Sequence, residues 1–171
     1  MTSSPPIFDP TGLTAAGQPI NCSVQFTLSL AATAELVVED AVTGVGGIAL
    51  RYGGFYGAAN DGLIEPVHKR QFPIIGDGGG ILSFIHLHDA AAATVLALEH
   101  DGPAIYNIVD DEPAPVREWL PVLARSLGAK PPRRFPRWVA RLVAGETAVV
   151  IGTEVRGGSN AKAKHELGWT P

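Results

Sequence analysis

Three side-chain groupings could carry chemistry by type and spacing. His86 and His88 are one residue apart, which on a strand turns both imidazoles to one face, as a metal pair requires. No further ligand cluster accompanies them, and no metal site is assigned. Asp110, Asp111 and Glu112 form an acidic cluster at a strand end, superficially suited to acid-base work or to a divalent ion. Pro113 and Pro115 follow at once, and the cluster reads as a solvated loop ahead of a helix. GDGGG at 76–80 has the glycines of a phosphate loop, but no Lys-Ser or Lys-Thr follows and it joins two short strands, so it reads as a turn needing positive φ. Ser23, Thr27 and Ser29 are hydroxyls with no base beside them, and no nucleophile triad is evident.

The run LRYGGFYG at 50–57 is more promising, because it follows a short apolar segment. In doubly wound sheets the loops diverge at the carboxyl ends of strands and leave a crevice where ligands sit. Glycines there let a ligand approach the backbone closely. The same residues also fit a glycine-rich turn with packed aromatics, and both readings stand. Arg156, in the segment VRGG, reads from its residues alone as a surface arginine in a flexible segment.

Around these positions the apolar spacing sets out an α/β order. Leu30, Ala34, Val37, Val38 and Ala41 share one helical face, with Thr43 and Gly44 as the stop. Gly47 to Tyr52 reads as a buried parallel strand. A helix over 62–71, an extended piece over 72–75 and a strand over 81–85 follow. Asp89 stands as helix N-cap ahead of Ala91, Thr94, Val95 and Leu98 on one face. A strand over 104–109 precedes a helix lined by Val116, Trp119, Leu120, Leu123 and Leu127 and ended by Gly128. After a Pro-rich break, a second short helix runs through Leu142. A last helix over 160–167 is closed by Gly168, with Trp169 packing back. Residues 1–27, rich in Pro, Ser, Thr, Gly and Asn, read as an irregular leader, and residues 28–171 as the folded part.

The 171 residues suit one domain; 46% are hydrophobic and 18% charged, which describes globular material and no disordered chain. The net charge of −4 gives no general attraction to nucleic acid. The local exception, Lys130, Arg133, Arg134, Arg137 and Arg141, reads as a solvated helix face. No apolar stretch is long enough to span a membrane. Cys22 is the single cysteine, and with an N-terminus that lacks a secretory pattern it points to the cytoplasm.

Taken in order, LRYGGFYG, GDGGG, SFIHLHDAA at 83–91, YNIVDDE at 106–112 and HELGWTP at 165–171 resemble the second half of an extended short-chain dehydrogenase/reductase, the NAD-dependent epimerase/dehydratase family. The resemblance, over about residues 30–171, implies a partial Rossmann-like doubly wound parallel sheet with the small C-terminal substrate-side α/β part. It implies NAD or NADP as cofactor, the choice between them undecided, and a small-molecule substrate. By resemblance Tyr52 and Gly53 lie beside the nicotinamide, Tyr56 matches a family Tyr-Gly, and Gly54, Tyr56, Leu82 and Arg156 fall at substrate positions. Family members acting on nucleotide sugars place Asn at the position of Gly54 and Arg at that of Leu82. Losing an Arg-phosphate pair argues against a diphosphate-linked sugar.

The family's glycine-rich dinucleotide turn and Tyr-x-x-x-Lys pair are both absent from the sequence. If Glu35 is the family glutamate that follows the lysine, the pair falls on Thr27 and Ala31; if Glu39 is, it falls on Ala31 and Glu35. Neither register offers a phenol or an amine, so no catalytic residue is assigned. The expectation is a truncated member that is inactive alone and binds cofactor weakly, needing a missing N-terminal half or forming a homo-oligomer. The alternatives are a non-catalytic binding or sensor module with a reductase-like cleft, and a truncated or frame-shifted gene product.

Overall fold

The computed structural model describes residues 32–57 and 62–171; the leader expected over 1–27, and Leu30 of the first apolar stripe, lie outside the described residues. Strand β1 (Ile48–Tyr52) pairs in parallel with β6 (Ala104–Ile108), Ile48 opposite Ala104 and Tyr52 opposite Ile108. Strand side chains alternate between faces. One face, with Ile48, Leu50, Ala104, Tyr106 and Ile108 buried, packs against α3 (Leu87–Leu98) and α6 (Ala161–Leu167). The other face carries Arg51, which binds Glu39 of α1 (Ala32–Gly44). Helices on both faces of a parallel strand pair are the doubly wound arrangement expected from the sequence.

The remaining strands are short and set the pair's carboxyl end. β2 (Gly54–Tyr56) runs parallel to β5 (Phe84–His86), and β3 (Ile74–Ile75) parallel to β8 (Arg134–Phe135). β4 (Ile81–Leu82) lies antiparallel to β7 (Ala114–Pro115). The single strand expected over 81–85 is therefore two, β4 and β5, which break at Ser83 and join different partners. Helix α4 (Val116–Ser126) buries Val116, Leu120 and Ala124 in a second core with Val67 and Ile74, and Gly128 follows it at φ 66°.

Two helical faces differ from the expected ones, in both cases because small or charged residues point inward. In α3 the buried residues are Ala90, Ala93 and Ala97, while Val95 and Leu98 are 56% and 59% exposed. The alanine face lets the helix backbone sit close to the strands and α6. In α1 Val38 and Ala41 are exposed and Glu39 is buried at 3%, because its carboxylate pairs with Arg51. Helix α2 is shorter than expected, Ile64–His68, and Arg70 just beyond it adopts φ 55°. The helix expected to stop near Leu142 continues as α5 (Arg137–Thr153), broken at Gly145, whose φ of 82° and ψ of 175° end one helical segment and start the next.

Two expectations at the ends of α3 and α6 bear on side-chain roles. The N-cap of α3 is His86, whose Nδ1 accepts from the His88 amide at 3.2 Å; Asp89 lies inside the first turn. His86 thus ends a strand, His88 starts a helix, and they do not share a strand face. Helix α6 is closed by Gly168 at φ 63°, and Trp169 packs back at 1% exposure, its Nε1 donating to the Asp89 carbonyl at 3.0 Å. Among the described residues no helix is long and apolar enough to cross a membrane.

Candidate functional site

At the carboxyl ends of β1 and β6 the chain opens into a cleft of about 180 Å³. It is lined by Arg51, Tyr52 and Gly53, by Asn107 and Val109, and by Ile81, Leu82, Ser83 and the segment Val155–Gly158. The parallel register brings Tyr52 level with Ile108, so both strands end together and their following residues diverge. The segment carrying Arg156 is held by its backbone: the Ile81 amide donates to the Val155 carbonyl at 2.8 Å, and the Gly158 amide to Ser83 Oγ at 2.9 Å. Gly157 sits where a Cβ would come within 2.7 Å of Pro113 and 2.9 Å of Ile81. VRGG is therefore a seated strap rather than a loose surface segment.

Four of the six positions singled out from sequence meet in this cleft: Tyr52, Gly53, Leu82 and Arg156. Gly54 and Tyr56 do not line it. Gly54 faces the Phe84 ring, 3.0 Å from where a Cβ would stand, and Tyr56 stacks edge-on against His86 at 5.3 Å between centroids. Tyr52 contributes its backbone end, because its phenol turns away to Thr94 of α3 at 2.5 Å. Burial holds that phenol above its ordinary pKa, only partly offset by the Thr94 contact, and keeps it protonated. Gly53 is a glycine for the sake of the chain itself. A Cβ there would stand 2.8 Å from the Ser83 carbonyl oxygen, while the Gly53 amide donates to Ile108 and the Gly54 amide to Ser83.

The electrostatics are simple. Arg51 is occupied by Glu39, its Nε and Nη2 donating to the two carboxylate oxygens at 2.6 and 2.5 Å. Arg156 is exposed and forms no ion pair or side-chain hydrogen bond among the described residues. Apolar Ile81, Leu82, Val109 and Val155 line the same cleft. Among the described residues none that lines the cleft is a carboxylate, an imidazole or a lysine, so these residues can bind and orient but offer no general base.

The acidic cluster lies behind the cleft and is structural. Asn160, 8% exposed, donates to the Val109 carbonyl at 2.9 Å and to Asp111 Oδ1 at 2.7 Å, and Lys164 Nζ donates to both Asp111 oxygens. These donors, Lys164 first, hold the Asp111 carboxyl below its ordinary pKa. Asp110 is pushed the other way by burial. Among the described residues no group of His, Cys, Asp and Glu is arranged to hold a metal ion. The GDGGG amides are likewise spent on backbone: Gly76 donates to Phe135, Gly78 to Ile75 and Gly80 to Gly152. Sequence reasoning did not single out Ser83, Asn107 or Asn160. Ser83 acts at a strand break, Asn160 before a helix, and Asn107 from within β6 by donating to the Ser159 carbonyl, and none of these contacts carries a local pattern.

The chain is similar to a 3-diazoavenalumate denitrifying reductase of Streptomyces, 39% identical over 145 residues that make up 82% of this chain and 48% of the reductase. It superposes on the UDP-glucose 4-epimerase of Thermotoga maritima with a TM-score of 0.55 at 22% identity, covering 81% of this chain and 46% of the epimerase. It superposes equally on a dTDP-glucose 4,6-dehydratase of Streptomyces venezuelae with bound NAD, with a TM-score of 0.58 at 20% identity, covering 82% of this chain and 44% of that one. The chain spans about half the length of the reductase it matches. No family model matches it. The doubly wound strand pair is part of the fold of these epimerases and dehydratases, and the order of the motifs and the identity to the reductase make the chain similar to part of an extended short-chain dehydrogenase/reductase.

Proposed function

We propose that this chain supplies the substrate-side wall of an NAD(P)-dependent reductase. The observation that carries the reading is the cleft at the carboxyl ends of β1 and β6, which Tyr52 and Gly53 line together with the strapped Arg156. Reduction is favoured over sugar-nucleotide epimerisation by two features. The relative named as a reductase shares 39% of its aligned residues with this chain. Leu82 and Gly54 also offer no polar contact to a diphosphate-linked sugar.

The residues present fit one face of a nicotinamide ring, against the backbone of Tyr52 and Gly53. They do not supply a cradle for the pyrophosphate, since the glycine-rich turn before a helix is absent from the sequence. Nor do they supply a Tyr-x-x-x-Lys pair. On this reading the chain binds substrate, orients it and excludes water on one side, while proton transfer and the coenzyme grip need residues this chain does not contribute. It is then inactive alone. The test is a turnover assay of the full chain with NADH or NADPH and a panel of ketones and aryl diazo compounds. The expected result is no coenzyme oxidation above background; coenzyme turnover by the chain alone would overturn the reading.

A further inference from the structure

We infer that the cleft selects a small organic carboxylate with an apolar body, held by Arg156; the inference rests on reading the cleft as the substrate wall. Two arginines reach the cleft lining, but they are not equivalent. Arg51 faces the carboxylate of Glu39, which is 3% exposed, so its positive charge is balanced within the protein. Arg156 has no such counter-charge among the described residues, and it is fixed in place by the Val155 and Gly158 backbone bonds to Ile81 and Ser83. Among the described residues the lining therefore presents one positive charge without a counter-charge.

One planar guanidinium suits one carboxylate, which it can grip through two parallel N–H donors. A diphosphate would bring more negative charge than a single cation balances, next to aliphatic side chains that cannot solvate it. The body of the ligand meets Ile81, Leu82, Val109 and Val155, which favour an apolar skeleton such as an aromatic ring. Ser83 Oγ, which accepts from Gly158, keeps a hydroxyl proton to donate, and so adds a polar contact at the same end as the strap.

The experiment is a titration of the full chain, without coenzyme, with cinnamate and benzoate, their neutral amides cinnamamide and benzamide, and inorganic pyrophosphate. Both acids are expected to saturate, the amides to bind about tenfold more weakly, and pyrophosphate to bind more weakly than cinnamate. Arg156→Leu should lower the acid affinity about tenfold while leaving the amides unchanged, and Arg156→Lys should restore part of it. Acids that fail to saturate, amides that bind as tightly as acids, an unchanged Arg156→Leu variant, or tighter pyrophosphate would each overturn the assignment. Coenzyme turnover by the chain would instead sink the function proposed above and leave carboxylate binding standing, so the two failures are distinct.

Discussion

The Glu39 carboxylate, 3% exposed, receives two hydrogen bonds from the Arg51 guanidinium at 2.6 and 2.5 Å and so ties α1 to β1 across the face of the strand pair that leads into the cleft. Arg51 is the more exposed partner, with its side chain 40% accessible. Removing the two partners is therefore unequal. Arg51→Met strands a buried carboxylate and should cost about 2–3 kcal/mol, whereas Glu39→Gln leaves a guanidinium that water can reach and should cost about half as much. Urea denaturation of both variants checks the order; a larger loss for Glu39→Gln would contradict it.

Gly53 is held by its neighbours rather than by a ligand. A methyl group there would stand 2.8 Å from the Ser83 carbonyl oxygen and 3.1 Å from the Phe84 backbone, neither of which can give way by rotation. Gly53→Ala should destabilise by about 1–3 kcal/mol. Gly54→Ala meets only the Phe84 ring, at 3.0 Å, and should cost less. Thermal melts of the two variants separate them.

Asn160 bridges the end of β6 to the acidic loop. Asn160→Ala leaves the Val109 carbonyl without its donor and takes one partner from Asp111, and should cost about 1–3 kcal/mol. Asp111→Asn, at an exposed ion pair with Lys164, should cost less than Asn160→Ala. Denaturant midpoints measure both.

Tyr106 is fully buried in the first core, and its hydroxyl donates to Glu166 Oε2 at 2.8 Å while His100 Nε2 lies 2.9 Å away. Burial first, then the Glu166 bond and charge, push its pKa up to about 12 from an ordinary 10.0. A folded-state pKa above the unfolded value means the unfolded chain loses its proton first as pH rises. The stability is fully present below pH 10 and is lost as pH climbs toward 12. Tyr106→Phe should flatten this part of the stability-pH curve. A wild-type curve that does not fall between those two values would contradict the assignment.

The parts legible in the sequence were those with strong local signals. Gly128 and Gly168 end their helices because only a residue free of a Cβ adopts φ 66° and 63° without strain. The strand that ends at Tyr52 was legible from a short apolar run between glycines, and Tyr52 and Gly53 from their place at its carboxyl end, whereas Leu82 and Arg156 were singled out only by family resemblance. The face of α3 was not, because hydrophobicity alone ranks Val95 and Leu98 above Ala90, Ala93 and Ala97, whereas close packing needs the smaller set. The face of α1 was missed since a buried Glu39 makes sense only beside Arg51, twelve residues away. In the structure Glu39 is the glutamate tied to β1, and the register in which it is the family glutamate puts Ala31 and Glu35 at the catalytic pair positions.

The account rests on a cleft with one wall, and a titration of NADH into the isotopically labelled full chain, followed residue by residue by NMR, tests it most directly. Shifts at Gly53, Gly158 and their neighbours that do not saturate below the millimolar range are the predicted result. Saturable binding at micromolar coenzyme would contradict it.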